Sequence, residues 1–242
     1  MRYELHYWPT IQGRGEFVRL ALEEAAADYI DVAREDEENG TQAMLNLLGD
    51  RHVPMPPFAP PFLKTGERII GQTSNILLFL GPRHGLVPDD ESLRLWAHQL
   101  QLTIADLVTE AHDTHHPIAS GLYYEDQKAE ARRRAKDFTK TRLPKFLDYF
   151  ERVLGQNPEG GKHMVGKTLT YADLSMFQVL AGLRYAFPHA MKKLSAHHPR
   201  LLELHENVMQ RPRIAAYLRS ERRIPFNQEG IFRRYLELDL DR

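Results

Sequence analysis

The sequence predicts a chain of two parts, a small mixed α/β domain followed by an all-α domain. Three observations carry this reading. The hydrophobic period changes several times within the first 80 residues, it stays helical almost throughout after about residue 90, and a short run rich in turn residues separates the two textures. The expected boundaries are 1–82 for the first domain, 83–90 for a linker and 91–242 for the helical domain with its C-terminal tail.

Tyr3, Leu5 and Tyr7 alternate with Arg2, Glu4 and His6, which is the period of a strand with one buried face. From Glu16 the apolar set Phe17, Leu20, Ala21 and Ala25 recurs at helical spacing, and residues 29–32 read as a second strand. Residues 41–48 are a helix candidate. Residues 52–61 contain five prolines, which no regular element tolerates. Phe62, Leu63 and Lys64, a Thr65-Gly66 turn and residues 67–70 form a hairpin pattern. Residues 74–80 return to helix, with an expected end at Gly81-Pro82. The order is βαβαββα, a parallel unit followed by an antiparallel hairpin and a closing helix. That is the thioredoxin-like arrangement, a four-stranded mixed sheet covered by helices on both faces.

Residues 81–90 hold two Pro, two Gly and two Asp, the composition of a linker. Beyond them Leu93, Trp96, Leu100, Ile104, Leu107 and Ala111 space at three and four, predicting one long helix. Helical patterns follow over 125–154, with a kink expected at Pro144, and over 170–187, 199–210 and 212–219. In the tail after Ile224, the residues Ile231, Phe232, Tyr235 and Leu236 are compatible with one face of a helix.

The 242 residues are 42% hydrophobic and 27% charged, ordinary for a globular protein. Lys and Arg number 32 against 33 Asp and Glu, a formal net charge of −1, so there is no bulk positive field for a polyphosphate backbone and nucleic acid is not an expected partner. No apolar run approaches the roughly 18 residues of a membrane span, and the N-terminus lacks a signal-peptide apolar region, so a membrane is not an expected partner and the expected location is cytoplasmic. The absence of cysteine excludes disulfides, thiolate metal sites and any mechanism in which the protein supplies a thiol. Sulfur chemistry has to come from a bound ligand.

Several candidate residues carry chemistry. Tyr7 ends the first strand before Trp8-Pro9, where its phenol points either into a cleft or into the core. Gly13-Arg14-Gly15 leads into a helix, and Arg14 stands at its N-terminus or lies solvated. Gln72-Thr73 opens the helix after the hairpin, where main-chain N–H groups and a hydroxyl suit a carboxylate or simply cap the helix. Thr170-Tyr171-Ala172-Asp173 is a capping box, flanked by Leu169 and Leu174 as a hydrophobic staple. His112 and His116 share a helix face at i, i+4, but no H-E-x-x-H pattern accompanies them and Pro117 breaks the helix, so no metal is expected.

Taken in register, these residues resemble the glutathione transferase family of the tyrosine type, the alpha, mu, pi and sigma classes. Tyr7 through Arg19 resembles its tyrosine, Arg-Gly-Arg and Glu/Arg signature; Pro61-Phe62-Leu63-Lys64-Thr65-Gly66 resembles its cis-proline and hairpin. The segment from Gln72 to Leu77 resembles its glutathione-binding stretch, and Gly166 through Asp173 its second-domain capping box. The resemblance implies a glutathione transferase that conjugates the tripeptide thiolate to a small apolar electrophile in detoxification, working as a homodimer. Glutathione is the co-substrate and no metal takes part.

The resemblance also implies roles. Tyr7 donates to the thiolate and Arg14 adds positive charge; Gln72 and Thr73 hold the γ-glutamyl group. Pro60 and Pro61 meet the cysteinyl backbone through the Pro60 carbonyl alone, since proline has no N–H. Arg51, otherwise a solvated loop residue, takes the glycine carboxylate. Trp8, Thr10, His112 and Phe232 line the electrophile pocket, with the tail as its lid. The pattern departs from the alpha class at five residues between Tyr7 and Gly13 in place of four, with Thr10 as a substitute donor. Gln101 or Leu102 stands where some classes carry an acidic residue reaching the partner subunit. The alternative on the same fold is a non-catalytic module that binds glutathione or a hydrophobic ligand.

Overall fold

The computed structural model describes residues 2–36 and 39–239. The chain forms two compact units. The first comprises the residues up to Leu86 together with Arg211–Pro225, and the second comprises Val87–Gln210 together with the chain from Phe226 onward. Residues 211–225, read from sequence as part of the helical domain, thus belong with the first unit.

In the first unit β1 (Tyr3–His6) leads to α1 (Gly15–Glu24), β2 (Tyr29–Asp31), a single helical turn α2 (Val32–Glu35) and α3 (Gly40–Gly49). After the proline-rich segment come β3 (Phe62–Thr65), β4 (Arg68–Gly71) and α4 (Thr73–Arg83). The sheet order is β2-β1-β3-β4, with β1 parallel to β2 and antiparallel to β3, and β3 antiparallel to β4. The expected thioredoxin-like topology is therefore present, with α2 added. Val32 starts that turn in place of ending the second strand, and α4 runs through Pro82 to Arg83 instead of stopping at Gly81. Pro82 leaves the Leu78 carbonyl without its intrahelical donor, a loss met near the exposed helix end, and the helix stops one residue later.

The second unit begins with the expected long helix, α5 (Glu91–Asp113), whose N-cap Asp90 accepts the Leu93 N–H at 2.9 Å. Then follow α6 (Lys128–Asp137), a π-helical turn at Phe138–Arg142 and α7 (Leu143–Gln156). The kink expected at Pro144 takes this form: the ring would strike the carbonyl one turn back, and the wider turn makes room for it. α8 (Tyr171–Ala186) is buried on nearly every side and is followed by α9 (Pro188–Ser195) and α10 (Pro199–Met209). Its capping box is formed as expected. The fully buried Asp173 carboxylate accepts the Thr170 N–H at 2.7 Å and also the Met164 N–H at 2.8 Å, so it pins the preceding loop as well as the helix.

α11 (Pro212–Leu218) returns to the first unit and packs on α1. It covers the polar side of that helix, and Glu16 and Arg19 become fully buried along with Phe17, Val18 and Leu20. Such burial is tolerable only for paired charges. Arg19 donates to Asp31 at 2.6 Å, and the Glu16 carboxylate accepts from the Tyr217 hydroxyl, Arg223 and Arg19.

The tail departs from the helical expectation. Residues 231–235 are irregular, and only Leu236–Leu238 form a 3-10 turn. Asn227 explains the break, since its side-chain oxygen accepts the N–H groups of Glu229 and Gly230 in a local turn that competes with helix. Residues 240–242 of the tail lie outside the described residues.

Candidate active site

Strand register assembles the site of the first unit. His6 pairs with Phe62 and Phe62 with Gly71, so the next step along the sheet aligns Tyr7, Pro61 and Gln72 at one end of three adjacent strands. The peptide bond between Pro60 and Pro61 is cis. Gln72 has φ +68°, a conformation rare for a side chain larger than glycine, and it hands the chain into α4 with its carbonyl accepting the Ile76 N–H at 2.8 Å. Thr73 follows at the first helical position, and its hydroxyl reaches the Arg14 carbonyl at 3.5 Å. Tyr7, Arg14, Pro60, Pro61, Gln72 and Thr73, separate in sequence, therefore converge.

The Tyr7 ring lies beneath Gly13-Arg14-Gly15. A Cβ at Gly13 would fall 2.0 Å from the Tyr7 hydroxyl oxygen and one at Gly15 would fall 2.5 Å from the ring, so both positions require glycine. The closeness lets the Arg14 N–H donate to the phenol oxygen at 2.8 Å. The phenol proton itself meets no acceptor among the described residues, so the hydroxyl remains a donor polarised by the bond it accepts. Burial raises the Tyr7 pKa above the ordinary phenol value, against the lowering effects of the Arg14 N–H and of the Arg14 and Arg19 charges. A neutral phenol held by a main-chain N–H at a helix N-terminus is equipped to donate to an anion.

The other expected site residues have more varied surroundings. Trp8 is 37% exposed, and Thr10 is exposed on the same loop. Arg51 is exposed after α3 without an ion-pair partner among the described residues. Phe232 is buried against α8, where a Cβ on Gly182 would meet its ring at 2.2 Å. His112, at the end of α5, is half-buried and stacked on His116. Sequence reasoning passed over Glu16 and Arg19 as site supports. They pair at i, i+3 on α1, and their burial depends on α11.

Known proteins share this fold. Residues 112–221 match the family model described as glutathione S-transferase, C-terminal domain. Glutathione S-transferase P 1 of Xenopus laevis is 28% identical over 222 residues, 91% of this chain and 93% of that protein. Glutathione S-transferase 2 of Onchocerca volvulus is 26% identical over 95% of this chain and 99% of its own length. Among solved structures, the Pi-class glutathione S-transferase of Onchocerca volvulus superposes with a TM-score of 0.68 at 23% identity, covering 90% of this chain and 92% of that one. Prostaglandin synthase D of Nilaparvata lugens reaches 0.71 at 17% identity, covering 93% and 100%. Over nine-tenths of its length the chain is thus similar to glutathione S-transferases, and residues 112–221 match the C-terminal domain of that family.

Proposed function

We propose that the protein is a glutathione transferase in which the Tyr7 hydroxyl stabilises the glutathione thiolate for attack on a small, mainly apolar electrophile. One observation carries the assignment of roles: the Arg14 N–H donates to the Tyr7 oxygen at 2.8 Å while the phenol proton stays available. A thiol is mostly protonated at neutral pH, and the thiolate is the nucleophile. A donor that keeps its own proton lowers the thiol pKa without competing as a base, so the thiol proton leaves to solvent. Sulfur then forms its bond to the electrophilic carbon, and the electrophile's leaving group departs or its π electrons shift away.

Gln72 and Thr73 are the proposed anchor of the γ-glutamyl group, because the N-terminus of α4 offers unpaired N–H groups and the positive end of a dipole. The Pro60 carbonyl takes the cysteinyl N–H, and Arg51, at the loop surface, takes the glycine carboxylate. In solution the chain is proposed to be a homodimer. Leu95 and Leu102, 66% and 49% exposed and two helical turns apart on α5, support an oligomeric face, and light scattering giving a monomer mass would remove that part of the reading. No described helix is long and apolar enough to cross a membrane, and a cytoplasmic location is part of the proposal.

The decisive experiment is Tyr7→Phe assayed with a reference electrophile. Turnover should fall roughly 10–10³-fold with glutathione affinity retained, the loss of one preorganised donor. An unchanged rate would pass the role to Thr10 or Arg14, to be tested by Thr10→Ala and Arg14→Ala. If glutathione binds with an unshifted thiol titration and no turnover, the protein is instead a glutathione-binding module.

A further inference from the structure

The turn after α5 brings three imidazoles together. His112 closes the helix, His115 and His116 follow it, and one ligand nitrogen from each lies within 4.8 Å of the others. His112 and His116 stack with ring centroids 5.0 Å apart, and the Nδ1 atoms of His115 and His116 face each other at 2.5 Å. In sequence only His112 and His116 share a helix face, which is why no metal is expected from the spacing. The third arrives because the chain leaves the helix at Thr114 and turns His115 back toward the pair.

His115 has the surroundings of a metal ligand. Its Nε2–H donates to the Ile231 carbonyl at 2.7 Å, which fixes the tautomer and leaves Nδ1 unprotonated toward the other two rings. His115 is itself buried, which favours the uncharged ring. A neutral ring oriented through its second nitrogen by a backbone carbonyl is the usual arrangement of a ligating histidine. His112 and His116 are half-buried, leaving a face open to solvent for entry and for a fourth ligand.

Charges nearby partly offset one another. The Asp113 carboxylate lies 3.6 Å from His112 Nδ1, and the Arg233 guanidinium, which opposes a cation, donates to the carbonyls of Glu229 and Gly230.

We propose that His112, His115 and His116 form a binding site for a divalent transition metal of borderline softness, with Zn²⁺ as its simplest occupant. Zinc–nitrogen bonds of about 2.0–2.1 Å at tetrahedral angles put ligand nitrogens about 3.3 Å apart. To meet that spacing His116 has to swing outward from His115 by under about 1 Å, and nitrogens that stand up to 4.8 Å apart have to close by up to about 1.5 Å. Three imidazoles and no thiol or carboxylate in the ligand set also suit Cu²⁺ and Ni²⁺, whereas Mg²⁺ and Ca²⁺ need oxygen ligands. Because His115 holds the tail through Ile231, the metal polarises its N–H and strengthens that attachment. The site thus ties α5 to the tail segment within the second unit.

The test uses the untagged full-length protein, stripped with chelator and free of glutathione, which itself binds metals. Zn²⁺ is titrated in competition with a chromophoric chelator. One equivalent should bind, and His112→Ala and His116→Ala, at half-exposed positions that keep the fold, should each weaken binding at least tenfold. Zn²⁺ should also slow proteolysis of the tail in the wild type and leave it unchanged in His112→Ala/His116→Ala. A low-symmetry four-coordinate Co²⁺ spectrum that disappears in the double variant would support the site. Absence of binding, or binding that survives both substitutions and so belongs to other histidines, would overturn it. None of these readouts depends on transferase turnover.

Discussion

The Tyr217 hydroxyl donates to the Glu16 carboxylate at 2.7 Å, joining α11 to the first turn of α1 across 201 residues of sequence. Glu16 is fully buried and also accepts from Arg223 and Arg19, while Arg19 is held by Asp31. Tyr217→Phe should cost about 1–3 kcal/mol, the worth of a hydrogen bond to a buried charge. Glu16→Ala should cost more, about 3–5 kcal/mol, because it strands buried guanidinium groups. Urea unfolding midpoints measure both, and equal midpoints for the two variants would contradict a shared carboxylate.

The environment of Tyr7 sets its pH behaviour. Burial raises its pKa above 10.0, so at a pH where an unfolded chain's phenol has ionised, the folded one still holds its proton. The stabilisation from keeping this phenol neutral is fully present below pH 10 and declines as pH rises toward the folded value. Ultraviolet difference titration of wild type against Tyr7→Phe should therefore show this residue less than half ionised at pH 10. A phenolate signal near neutrality would make Tyr7 a base and change the mechanism.

Gly15 can carry no side chain without displacing the Tyr7 ring, since its Cβ would lie 2.5 Å from it. Gly15→Ala should lower kcat/KM by roughly one to two orders of magnitude through loss of donor alignment, and stability by about 1–3 kcal/mol through overpacking. Wild-type kinetics in this variant would show that the donor's position is not set by the glycine loop.

Gly182 gives a case where two effects of opposite sign compete. Replacing a mid-helix glycine by alanine gains up to about 1 kcal/mol of helix propensity. Here the new methyl would meet the Phe232 ring at 2.2 Å, and overpacking of that kind costs about 1–3 kcal/mol. The expected result for Gly182→Ala is a lower melting temperature and faster proteolysis of the tail. A higher melting temperature would mean that Phe232 does not rest on α8.

Local pattern alone, read from the sequence, determined the four strands and α1, α3 and α4 of the first unit, the long α5 and the capping box at Thr170 and Asp173. Each rests on interactions within a few residues or on a periodicity that a buried face imposes. Tertiary structure decided which polar residues of α1 go inside, because Glu16 and Arg19 are buried where α11 and the segment after it supply Tyr217 and Arg223. It also decided the form of the tail, where four apolar residues compatible with a helix face follow an Asn227 turn and seat Phe232 on a glycine of α8. The grouping of His115 with His112 and His116 likewise depends on a hydrogen bond to Ile231, more than a hundred residues away. Long-range pairings of this kind leave no period in the chain, because their partners are chosen by packing and by the need to satisfy buried charge rather than by sequence spacing.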